Sequence, residues 1–129
     1  MPLDPASDEL QHVGFLTEQT VAVLKLSLTP GPIHMGKSNF EHILSRHPEM
    51  YLSHLDDIPL VISRPDCIGV NPNQGGVEFI KRLDGNLMVA VRASSSGVLY
   101  ARSIYRVEER KLRQYLKDGR FLVYTDGNP

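Results

Sequence analysis

With a single cysteine, this 129-residue chain cannot close an internal disulfide. A reducing cytoplasm is the compartment that cysteine usage points to. No sequence neighbour activates Cys67, so a buried core thiol is expected there. Apolar runs are short, and none reaches the ~18–20 residues that cross a bilayer, which excludes a membrane-spanning helix. The opening Met-Pro-Leu-Asp-Pro is acidic and lacks the charged-then-apolar pattern of a secretory signal. HExxH, CxxC and nucleophile-elbow motifs are missing too, which argues against zinc and against a serine or cysteine nucleophile.

What remains is an ordinary globular composition, 41% apolar, at the length of one domain. A chain of this size buries a sizeable core without staples. Residues 1–11 are polar, carry two prolines and are expected to form a mobile tail, leaving 12–129 as a single domain. The net charge of −1 hides an asymmetry. Residues 1–60 carry three basic side chains against eight acidic, and residues 61–129 carry eleven against seven. Clustered basic charge is the footprint expected for a phosphate backbone. Arg110, Lys111, Arg113 and Lys117 share one C-terminal helical stretch, where a solvated face explains them equally well. Lys81, Arg82, Arg92 and Arg102 lie on strand-like runs and resist that explanation.

Patterning predicts an α+β domain. Val13–Leu16 and Val21–Leu28 read as an N-terminal hairpin around Thr17–Thr20, broken by Thr29-Pro30-Gly31-Pro32. Ser38, with Glu41 three residues on, reads as the capping box of a helix that ends at His47. Phe40, Ile43 and Leu44 share its apolar face. A second helical segment runs from Glu49 to about Ser63, with Leu52, Leu55, Ile58 and Ile62 as core contacts and Pro59 as a kink. Strands follow at Asp66–Asn71, Val77–Leu83, Leu87–Arg92 and Val98–Val107, with Asp84-Gly85 a strong hairpin signal. In the last of these, alternation puts Leu99, Ala101, Ser103 and Tyr105 on one face and Val98, Tyr100, Arg102 and Ile104 on the other. A helix over Glu108–Lys117, capped by Gly119, precedes an edge strand at Phe121–Tyr124. Helices followed by a strand meander indicate N-terminal helices packed on an antiparallel sheet of four or more strands.

Two histidines on the short helix carry the chemistry. His42 and His47 are five residues apart, about 140° round an ideal helix, which is too far for the shared ion of an i,i+4 pair. Pro48 keeps His47 at the helix end. Imidazoles titrate near neutral pH, and two of them can share the base and acid roles of RNA cleavage by the 2′-hydroxyl. The crowded phosphorane then needs cations or fixed donors. Lys81 shares parity with Val77, Phe79 and Leu83, so its charge on an apolar face calls for a partner or a purpose. A capping role for His47, an exposed position for His42 and a plain strand serine at Ser103 account for the spacing as well.

From Lys37 to Tyr105 the chain resembles the phage-associated nucleases of the barnase–EndoU–colicin–RelE-like (BECR) superfamily. The likeness rests on His42-Ile-Leu-x-Arg-His47-Pro48, Arg64-Pro65-Asp66 and Phe79-Ile80-Lys81-Arg82-Leu83. Leu87-Met88-Val89-Ala90-Val91 and the strand through Ser103 complete it. The resemblance implies a metal-independent endoribonuclease that leaves a 2′,3′-cyclic phosphate and a 5′-hydroxyl. It implies catalytic residues His42, His47, Lys81 and Ser103 and no cofactor, and the strand-borne Arg82, Arg92 and Arg102 are the cations expected to bind substrate beside them. RNA, tRNA included, and an immunity or antitoxin protein are the partners it implies, in the cytoplasm or delivered there by a phage. The competing expectation is a catalytically silent module of the same fold that binds RNA or protein.

Overall fold

The computed structural model describes residues 2–124. Strand β1 (Gln11–Leu16) leads into helix α1 (Glu18–Leu24) and strand β2 (Gly31–Met35). Helices α2 (Lys37–Arg46), α3 (Pro48–His54) and α4 (Ile58–Ser63) follow, with a 3-10 turn at Leu55–Asp57 between the last two. Strands β3 (Cys67–Val70), β4 (Val77–Leu83), β5 (Gly85–Ala93) and β6 (Leu99–Val107) form the meander, and α5 (Glu109–Lys117) and β7 (Phe121–Val123) close the described chain. All seven strands join one sheet in the order β1-β2-β6-β5-β4-β3-β7. Every pairing is antiparallel except β2 with β6. That parallel pair is the departure from a wholly antiparallel sheet. It needs a long crossover, which the helices and the first three meander strands supply.

The N-terminal hairpin expected at Val13–Leu28 is corrected. Val21–Leu24 is helical, because the Thr17 hydroxyl accepts the Thr20 N–H at 3.2 Å and caps α1. The cap overrides the strand preference of a valine-rich run. Strand β1 pairs instead with β2, which starts inside the expected break: Gly31 lies opposite Leu16 and Pro32 opposite Phe15. Pro32 is tolerated because pairing with β6 begins only at Ile33. The segment before β1, expected to form a mobile tail, makes hydrogen bonds with the domain through Leu3 and Asp4. Leu3 N–H donates to Asp56 at 2.8 Å, and the Gln11 side chain exchanges two hydrogen bonds with the Asp4 backbone. Residues 125–129 of the expected 12–129 domain lie outside the described residues.

Helices α2 to α4 cover one sheet face. Phe40, Ile43, Ile58, Val61 and Ile62 pack there on Phe79, Val89 and Ile104. The α2 cap is Gly36 and not Ser38, with the Asn39 side chain accepting the Gly36 N–H at 2.8 Å. Leu44, expected on the apolar face with Phe40 and Ile43, lies at the rim of that face and is 46% exposed. Leu52, expected in the core, is 82% exposed, since the 3-10 turn breaks the helical phase before Leu55 and Ile58 go in. On the opposite face α5 covers only half the sheet, through Leu112 against Ile80, Met88 and Phe121. The Cys67 thiol is buried there, and burial pushes its pKa up. Among the described residues no helix is long and apolar enough to cross a membrane.

His54 bolts the helical layer to the β4–β5 turn. Its Nδ1 lies 2.8 Å from Asp57 and its Nε2 3.1 Å from Asp84, which also meets Arg106. The Asp57 contact, with Asp84 behind it, holds the His54 pKa above its usual 6.5 despite desolvation. A raised folded-state pKa stabilises below the unfolded value, and that contribution is lost as pH rises through the folded value. A His54→Asn variant should therefore lose stability against the parent at pH 6 and converge on it by about pH 9. Urea midpoints at the two pH values test this, and a deficit that does not change with pH would refute it.

Candidate active site on the open sheet face

Register lays out this face of the sheet, from the part under α5 to the part it leaves free. Strands β4, β5 and β6 set Glu78, Ala90 and Ser103 in one cross-strand row and Ile80, Met88 and Tyr105 in the next. A bulge shifts the β5–β6 register between Ala90 and Val91, so Arg102 is the extra residue. The bulge corrects the alternation read from sequence. Leu99, Ala101 and Ile104 enter the helix-side core, whereas Tyr100, Ser103 and Tyr105 face the other way.

His47 reaches this face from the free edge of β6. It ends α2 and starts α3 at φ −140° and ψ 64°, with Pro48 next. Its N–H donates to Ile43 at 2.7 Å and its carbonyl accepts from Tyr51 at 3.1 Å, which fixes the residue from both sides. The ring stacks on Tyr105 at 5.5 Å and 21°. Desolvation lowers its pKa below 6.5, and the charges of His42 and Arg46 lower it further. His42 is exposed one turn back on α2, within electrostatic reach. A cavity of about 320 Å³ opens here, lined by His47, Glu49, Tyr105 and Arg106 among others. The Tyr105 phenol is pushed up to about 12, first by burial and then by the Glu78 carboxylate, so it stays a hydrogen-bond donor.

Glu78 is the buried charge of the face, its side chain 2% exposed and 2.8 Å from the Arg120 guanidinium. Arg120 also lies 4.0 Å over the Tyr115 ring. Beyond Ser103, Arg92 and Arg102 line a second cavity of about 350 Å³ with Ser27 and Gly76.

Lys81 and Arg82 are not brought to this group. Lys81 points to the helix side of the sheet, where its amine donates to the Arg64 carbonyl at 2.8 Å. That contact is the partner its apolar parity called for. Arg82 sits beside Asn86 and Glu109 at the α5 end of the sheet. Arg92 lies six residue steps along β5 from Asn86, roughly 20 Å of strand. His47, Ser103, Arg92 and Arg102 do border the open face or its edge, and His42 lies exposed on α2 within electrostatic reach of His47. Tyr105, Glu78 and Arg120 went unnoticed as site residues in the sequence. The glutamate inside Val77-Glu78-Phe79-Ile80 was the available signal. Among the described residues, no group of three or more His, Cys, Asp or Glu side chains is arranged to hold a metal ion.

A sheet backed by helices on one side, with a half-open polar face on the other, makes this an α+β domain. The chain belongs to the phage-Barnase-EndoU-ColicinE5/D-RelE like nuclease 3 family, which it matches over residues 11–114. No curated protein and no solved structure matches it.

Proposed function

We propose that this nuclease-family protein is a metal-independent endoribonuclease in which His47 takes the proton from the attacking 2′-hydroxyl. The observation that carries the reading is the His47 imidazole, fixed between two helices and stacked on Tyr105. A lowered pKa keeps that ring neutral at pH 7, the form a general base requires. As the 2′-oxygen bonds to phosphorus and the 5′-oxygen leaves, His42 returns a proton to the leaving group. The Tyr105 hydroxyl and the Ser103 hydroxyl donate to the phosphorane oxygens, and Arg92 and Arg102 hold neighbouring phosphates. Arginines replace Lys81 and Arg82 in the charge-stabilising role, because the latter two are engaged elsewhere.

Incubation of the purified protein with total RNA in EDTA is the decisive assay. Fragments ending in 2′,3′-cyclic phosphate, with 5′-hydroxyl partners, are the expected products. Intact RNA under conditions where the protein is folded would favour the silent binding module. Cleavage that stops on chelation would make a metal the working group.

A further inference from the structure

The corner of the open face farthest from α5 is built unlike an ordinary strand surface. His12 on β1 lies opposite His34 on β2, His34 beside Tyr100 on β6, and Tyr100 opposite Arg92 on β5. Four strands thus set His, His, Tyr and Arg in one row, roughly 15 Å long at the usual strand spacing. Phe15, opposite Pro32 and one step of the same face along β2, is 55% exposed. The two histidine rings meet edge to face at 6.1 Å, and the Arg102 guanidinium lies 6.0 Å from the Tyr100 ring. Neither histidine takes part in the cleavage scheme above.

Two polar atoms in this corner are buried without a hydrogen-bond partner among the described residues, His34 Nδ1 and Arg102 Nε. Native proteins rarely leave such atoms unpaired, and each marks this corner as one that an ordinary strand surface does not explain. Aromatic rings interleaved with arginines are a poor match for an apolar protein partner. They suit bases stacked between phosphates, since each base offers a ring face and each phosphate a charge.

We propose that this row is a platform for single-stranded RNA. Bases stack on Phe15 and Tyr100, and phosphates sit at the Arg92–Arg102 cavity. The strand then runs along β6 past Ser103 to His47. The inference rests on RNA being the ligand of the face, and it specifies the class: an A-form duplex keeps its bases stacked inside and cannot lay them on a sheet. The edge pair β1–β2 gains a function by it, as an extension that lengthens the RNA track.

The test uses the full chain carrying His47→Ala, so that bound RNA survives, and a fluorescent 12-nucleotide RNA read by anisotropy. The single strand should bind, and the same strand annealed to its complement should bind at least about tenfold more weakly. Phe15→Ala and Tyr100→Ala should each weaken single-strand binding about five- to a hundredfold. Phe15 is exposed, so its variant decides the matter even if Tyr100→Ala fails to fold. Equal affinity for duplex and single strand, or unchanged affinity in Phe15→Ala, overturns the platform. Cleavage by the parent chain is scored separately. A parent that cuts RNA while Phe15→Ala binds normally refutes the platform alone, and a parent that binds single strands through Phe15 without cutting refutes the ribonuclease reading alone.

Discussion

His47→Ala is expected to slow RNA cleavage by about 10²–10⁴, the usual worth of a positioned general acid or base. The backbone at this position is held by the Ile43 and Tyr51 hydrogen bonds, which alanine retains, so the loss should fall on rate and not on folding. The pH profile carries the more particular expectation. Burial, then the positive charges of His42 and Arg46, depress the His47 pKa. A base with a depressed pKa keeps working to lower pH, so the acidic limb of kcat/KM should fall below the ordinary 6.5. His42→Ala removes one of those charges and should move the acidic limb upward, besides costing rate through the lost acid. Lys81→Ala, on the other side of the sheet, should leave the rate unchanged. Full activity in the His42→Ala/His47→Ala double variant would falsify the assignment, and an acidic limb above 6.5 would remove His47 as the base.

The largest structural effect is expected at Arg120→Ala, about 3 kcal/mol of lost stability. The Glu78 carboxylate is almost fully buried, and the guanidinium at 2.8 Å is its ion-pair partner among the described residues. Removing the arginine strands a desolvated charge, which costs far more than the pair itself contributes. The same arginine donates to the Val70 carbonyl and covers Tyr115, so the loss reaches the seam between β3 and the α5–β7 connection. Glu78→Gln should cost less, because the partly exposed Arg120 can turn to water. Urea unfolding measures both: a midpoint shift at unchanged slope reads as stability. An Arg120→Ala variant as stable as the parent would refute the dependence of the buried Glu78 on its partner.

Much of the architecture was legible along the chain. Asp84-Gly85 announced the β4–β5 turn, which the structure makes with Gly85 at φ +74°. The alternation of Leu87, Val89 and Val91 predicted a strand with one face in the core, and those side chains are fully buried. Gly119 after a basic amphipathic run marked the end of α5, and it adopts φ +79° there. The His-Pro junction located His47 at a helix boundary. Each of these signals is local, carried by a turn residue, a two-residue period or a ring that restricts its neighbour.

The misreadings share a cause. Val21–Leu24 has the side chains of a strand, and one hydroxyl at Thr17 makes it a helix. Ser103 and Tyr105 share sequence parity with Leu99 and Ala101, but a bulge at Arg102 moves them to the other face. That single extra residue takes Tyr105 from the face of Leu99 and Ala101 to a stack with His47. Lys81 and Arg82 adjoin in sequence, yet the pleat sends Lys81 to the helix side and leaves Arg82 at the far end of the face from Arg92. By itself, the sequence determined the fold class, most element boundaries and the histidine helix, because turns and periodicity act between near neighbours. Which face each charge occupies, and which charges meet, was decided by the tertiary structure. Strand register is set by packing between segments distant in the chain, and a slip of one residue reverses every side chain beyond it.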